Sequence, residues 1–269
     1  MKRNIVIITA LVCAVACVAG VMVLARTMPA EQGDGDTTAI LHGTEAVTTG
    51  TEAEVTTAED AETKPPYVSP KDFAEMRKTA PHIHGWLHVE NSYIDYPIVQ
   101  HPTDDGFYDR LTPEGEKDDR GCIITEHIYN RTDFEDPVTV LYGHYVGYTG
   151  HYEFFGGLQE MYNKDNYEKY KNITVYHEEK ELHYEFYASV RYDNEHIPWN
   201  YDFSDPESYN KFLNRIKSFD GPEGVFAPDV EVTPDDKLLI FSTCYSGGYG
   251  ANKDIRYIVV ARLVETITE

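Results

Sequence analysis

The sequence predicts a mainly β fold, a closed or nearly closed mixed β-barrel with helical decorations. Eight short segments between residues 85 and 264 are rich in Val, Ile, Leu and aromatic residues and are bounded by Gly, Pro, Asn and Asp clusters. Few stretches between them carry helical spacing.

Ser69 and Pro70 read as an N-cap and first helical residue, so a short helix over 71–78 should open the domain and stop before Pro81. Strands follow at 85–89 and 93–99, split by a polar turn, then at 121–125 and 138–142. Residues 153–170 look helical. The segments 173–177 and 181–192 alternate as a strand pair, and 205–219 has helical spacing of Tyr209, Phe212, Leu213 and Ile216. Strands at 238–243 and 256–264 close the set.

Four regions are expected. Residues 1–4 form a cytoplasmic tip and 5–26 a transmembrane signal anchor. The run Ile5 to Ala25 is broken only by Thr9 and Gly20, and at about 1.5 Å per residue a helix of that length spans a hydrocarbon core of roughly 30 Å. Lys2 and Arg3 precede it and only Arg26 closely follows, which places the N-terminus in the cytoplasm and the rest outside the cell membrane. A cleaved signal peptide is the rival reading, but no clear small-x-small site follows the run. Residues 27–66 are rich in Thr, Ala, Glu and Gly, repeat Thr-Glu-Ala-Val-Thr-Thr-Gly imperfectly from Thr44, and contain no aromatic residue. Such a segment cannot bury a core and is expected to be a disordered, acidic stalk with a reach of about 35 Å. Residues 67–269 are left for one extracellular domain, enough for a single core.

The formal net charge is −23. Nine acids and no base in residues 31–63, with three bases in residues 1–30, leave −17 for residues 64–269. That balance argues against nucleic acid and anionic lipid as partners of the domain, and favours cationic groups such as amines.

Of four cysteines, Cys13 and Cys17 lie in the expected anchor. Cys122 sits inside the apolar run Gly121-Cys122-Ile123-Ile124 and reads as a buried, inert thiol, which leaves Cys244 free. Cys244 ends the apolar segment Leu238–Thr243, and a Gly- and Tyr-rich stretch follows it, a context for an exposed thiol that attacks a carbonyl. His144 ends a second such segment after Tyr142-Gly143, and Arg256 opens a third. Each has an ordinary alternative: a small core hydrophobe, a surface imidazole, a strand-edge ion pair. Three strand ends are expected to bring them into one Cys-His-Arg site.

Tyr142-Gly143-His144, Ser242-Thr243-Cys244 and the arginine opening the last strand, in that order, resemble the sortases, most closely class B. Further similarity lies in Gly85-Trp86-Leu87, Asp95-Tyr96-Pro97-Ile98-Val99-Gln100 and Phe154-Phe155-Gly156-Gly157-Leu158, so the resemblance covers about residues 70–265. The chain departs from it at Gly143-His144-Tyr145, where the family's usual motif is Gly-His-Asn, and in a Gly-rich insertion between Cys244 and Arg256.

The resemblance implies a sortase-type closed eight-stranded barrel and a membrane-tethered cysteine transpeptidase. Cys244 would be the nucleophile, cutting an LPxTG-like or NPxTx-like sorting signal after Thr. His144 would act as general acid/base, and Arg256 would stabilise the substrate carbonyl and the developing oxyanion. The acyl group would pass to a peptidoglycan cross-bridge or pilin amine. The expected partners are therefore surface proteins or pilins bearing a sorting signal, with Ser242, Thr243, Tyr142 and Tyr245 as substrate contacts. No cofactor and no metal are implied. The competing reading is a stalked surface module that binds a peptide or glycan without turnover. A papain-like peptidase fits worse, because there the cysteine precedes the histidine.

His82, His84 and His88 crowd together without an accompanying cysteine or acidic pair, and read as solvated histidines. Asp104-Asp105 and Asp118-Asp119 lack the glycine turn and terminal glutamate of a calcium loop and read as solvated turns.

Overall fold

A computed structural model describes residues 65–148, 151–220, 224–244 and 254–269. The expected cytoplasmic tip and anchor, and the stalk up to residue 64, lie outside these residues. Among the described residues no helix is long and apolar enough to cross a membrane.

The expected barrel is present and closed. Its strands are β1 (Ile83–Val89), β2 (Asp95–Val99), β3 (Ile123–Ile124), β4 (Val138–Tyr142), β7 (Asn172–Tyr176), β8 (Glu181–Asp193), β10 (Leu238–Cys244) and β11 (Ile255–Ile267). Around the barrel the order is β11-β10-β4-β3-β2-β1-β7-β8, and a β8–β11 pairing closes the ring. β2–β3 and β4–β10 run parallel and the other neighbours antiparallel, so the sheet is mixed.

Alternation along β10 and β11 explains their continuous apolar sequences. Leu239, Phe241, Val259 and Ala261 pack with Leu87, Ile98 and Leu141 in the barrel core. Leu238, Ile240, Ile258 and Val260 pack instead against Tyr209, Phe212, Leu213 and Ile216 of a covering helix, α3 (Pro206–Lys217). Strands buried on both faces lose the polar half of the alternating pattern. Asp205 caps α3 by accepting hydrogen bonds from the backbone N–H groups of Glu207 and Ser208, with Pro206 in the first turn.

Several element boundaries differ from expectation. The opening helix, α1, is one turn over Phe73–Met76, capped by Asp72 rather than Ser69, with Phe73 buried. Residues 153–170 do not form an α-helix. His144 is followed by a hairpin of β5 (Tyr145–Tyr148) and β6 (His151–Phe154), then by 3-10 helices over Phe155–Tyr162 and Tyr167–Tyr170. Gly156-Gly157 falls at the start of the apolar run, where two glycines oppose α-helix formation. The short helix α2 (Ile197–Asn200) and β9 (Gly224–Phe226), an added strand on β8, have too few residues to show a period in sequence.

His84 overturns the expectation of solvated histidines. It is buried on β1, stacks on Phe134, donates through Nδ1 to the Thr132 carbonyl and accepts through Nε2 from the Thr125 hydroxyl. The acidic turns are also less free than expected: Asp105 accepts from both the backbone N–H and the ring of His127, and Asp118 pairs with Arg120.

Candidate active site

The parallel pairing of β4 and β10 sets Tyr142 opposite Ser242, and one further backbone bond runs from Gly143 N–H to the Ser242 carbonyl at 3.2 Å. Two residues past that pair lie His144 and Cys244. Strand side chains repeat every second residue, so both follow the face set by Tyr142 and Ser242. On the other side of β10, Cys244 is directly opposite Arg256 in the antiparallel pairing with β11. Opposed residues share a face, and Arg256 Nη1 lies 3.9 Å from Cys244 Sγ.

One cavity of about 300 Å³ is lined by Cys244, His144, Arg256, Tyr142, Ser242 and Thr243, together with residues of the β2–β3 connection. Six of the seven expected site residues thus meet. The seventh, Tyr245, lies outside the described residues. Along β10 every residue from Leu238 to Thr243 is buried and only Cys244 is exposed, so the sulfur emerges where the strand leaves the core.

Gly143 is required by close approach. A Cβ there would meet the buried Phe155 ring at 2.8 Å, and the Phe155 backbone N–H in turn donates to the His144 carbonyl at 3.3 Å. The aromatic ring therefore backs the peptide that carries the imidazole.

Tyr142 has a buried hydroxyl. Burial, with the Glu126 carboxylate alongside, pushes its phenol well above the ordinary value. Glu126 also accepts from His196 Nε2 at 2.9 Å, and the His196 ring stacks on Tyr142. Tyr142 is thus a rigid neutral wall of the cavity.

Cys122 touches the same cavity but is a different kind of thiol. It is buried, donates to the Leu111 carbonyl at 3.1 Å, and burial pushes it up to about 12. Neither Cys122 nor Cys244 is in a disulfide. Among the described residues no group of three or more His, Cys, Asp or Glu is placed to hold a metal ion.

Sequence reasoning missed Asp109, whose carbonyl and Oδ1 each lie 2.9 Å from His144 Nε2. It stands in an irregular connection thirty-five positions upstream, with no local pattern to signal it.

In sequence and in fold the chain is similar to known proteins. Sortase B of Staphylococcus aureus is 26% identical over 195 residues, 72% of this chain and 75% of that protein. Sortase B of Listeria monocytogenes is 26% identical over 181 residues, 64% of this chain and 67% of that protein. The crystal structure of the Staphylococcus aureus protein superposes with a TM-score of 0.62 at 26% identity, covering 74% of this chain and 89% of that one. The chain is similar to the class B sortases in sequence and in fold. The Clostridium perfringens sortase B structure adds a TM-score of 0.59 at 25% identity, over 71% of this chain and 99% of that one. No family model matches the chain.

Proposed function

We propose that this protein is a sortase, a membrane-tethered cysteine transpeptidase that cuts an LPxTG-like or NPxTx-like sorting signal after Thr and passes the acyl group to a peptidoglycan cross-bridge or pilin amine. The convergence of an exposed thiol, an imidazole and a guanidinium in one cavity carries the reading. Cys244 sulfur attacks the Thr carbonyl carbon. The carbonyl oxygen gains negative charge, and the Arg256 guanidinium, beside the sulfur, is the fixed cation that stabilises it. As the C–N bond breaks, His144 protonates the departing amine, leaving a thioester on Cys244. The acceptor amine then attacks the thioester, gives a proton to His144, and the sulfur leaves. Ser242, Thr243, Tyr142 and Tyr245 are the proposed substrate contacts.

Replacing the sulfur tests this directly. Cys244→Ala is expected to abolish both cleavage and covalent capture of peptides with a Pro-x-Thr core, whereas Cys122→Ala should leave both near wild type. Mass spectrometry of the acyl-enzyme decides, and an adduct on Cys122 would overturn the assignment.

A further inference from the structure

We infer that Asp109 is the positioning residue of the His144 imidazole, holding Nε2 as the protonated nitrogen and leaving Nδ1 to exchange protons with the two amines. The inference rests on the reading of His144 as the general acid/base. A backbone carbonyl oxygen can only accept a hydrogen bond. Nε2 lies 2.9 Å from the Asp109 carbonyl, so in the neutral ring the proton sits on Nε2 and Nδ1 carries the lone pair. The Asp109 carboxylate, also 2.9 Å away, accepts from the same N–H. Two oxygens of one residue therefore fix the tautomer and the plane of the ring.

Asp109 is itself held. Its backbone N–H donates to the Gly106 carbonyl at 3.1 Å, and the Cys122 N–H donates to the Tyr108 carbonyl at 3.2 Å, so both polar groups of the Tyr108–Asp109 peptide, which leads into the Asp109 oxygens, are held, one of them by the residue before β3. This arrangement needs glycine at 121. Gly121 has φ of 64°, and a Cβ there would lie 2.5 Å from the same Asp109 carbonyl oxygen that faces His144.

The proton cycle balances. In the first half, Nδ1–H of the imidazolium protonates the departing amine nitrogen and the ring is left as the neutral Nε2–H form. In the second half, Nδ1 accepts the proton that the acceptor amine loses as it attacks the thioester, restoring the imidazolium. Asp109 keeps its partner on Nε2 throughout. The side chains of His144 and Asp109 are 37% and 60% exposed, so the pair adds little to folding stability and its loss should register in chemistry.

The test uses the full-length protein in detergent, whichever peptide with a Pro-x-Thr core acylates it fastest, and ¹⁵N-labelled histidine. Asp109→Ala should lower the single-turnover acylation rate by about tenfold, a part of the proton-transfer contribution, with little change in KM. Asp109→Asn, whose amide oxygen still accepts from Nε2–H, should recover most of the loss. The neutral His144 ring should show protonated Nε2 in the wild type and also in Asp109→Ala, where the backbone carbonyl still accepts, so that the loss of rate falls on the orientation of the ring. Wild-type acylation by Asp109→Ala, a defect confined to KM, or a wild-type ring protonated on Nδ1 would each overturn the inference alone. A wild-type protein that takes no peptide onto Cys244 would instead overturn the reading of the site, and the catalytic part of this inference with it.

Discussion

Cys244 and Arg256 stand directly opposite one another in the antiparallel pairing of β10 and β11, with the guanidinium Nη1 3.9 Å from the sulfur. The register that sets this relation is fixed by the buried run from Leu238 to Thr243 and its partners across β11. A one-residue slip would turn every inward side chain of β10 outward, so packing fixes the register and the register fixes the chemistry.

Arginine at 256 is therefore expected to be irreplaceable by lysine. Lysine keeps the charge and loses the planar fork of donors, so Arg256→Lys should lower the acylation rate by about 10²-fold or more, comparable to removing an oxyanion donor. His144→Ala should be at least as damaging. Single-turnover acylation with parallel thermal melts checks both: melts should move little, and near wild-type rates for Arg256→Lys and Arg256→Ala would show the arginine to be structural.

The barrel was legible in sequence because β4, β10 and β11 are long runs of buried residues, and their ends carry the chemistry. The site trio was legible for the same reason: a polar residue at the mouth of an apolar strand stands out. Asp109 and the His196–Glu126 pair were not, since each acts across a gap in the chain from an irregular segment. Residues 153–170 read as helical because Tyr and Phe at short intervals fit a helical stripe, and the structure forms two 3-10 helices there, over Phe155–Tyr162 and Tyr167–Tyr170, in place of one longer helix.

The fragment 67–269 is expected to fold and to acylate at the rate of the full-length protein. Every described element of the barrel and its covering helices lies between Phe73 and Ile267, and the cavity draws on none of the residues before 105. Anchor and stalk would then supply location alone. Comparing thioester formation by the two proteins in detergent is the check; a fragment that folds but turns over only when residues 27–66 are restored would make the stalk part of the machinery.

His84 makes a pH-dependent contribution to stability. Burial drives its imidazole down to about 4, while Thr125 and Thr132 satisfy both ring nitrogens of the neutral form. An imidazole depressed below its unfolded value binds fewer protons in the native state. Its contribution is thus fully present above about pH 6.5, is lost progressively as pH falls towards 4, and changes no further below that. The interval corresponds to about 3 kcal/mol. His177 and His82 are also pushed down by burial and add to the slope. Glu135, held down to about 2 by Lys180 and Lys237, loses its contribution as pH falls from the ordinary carboxylate value of 4.5 to about 2, so the window from pH 6.5 to 5 reports histidines. Urea unfolding across that window should show wild-type stability falling as pH falls. His84→Gln should be less stable at pH 7 but have a shallower slope, and the difference between the two curves isolates His84. Parallel curves would show that the buried ring does not titrate on unfolding.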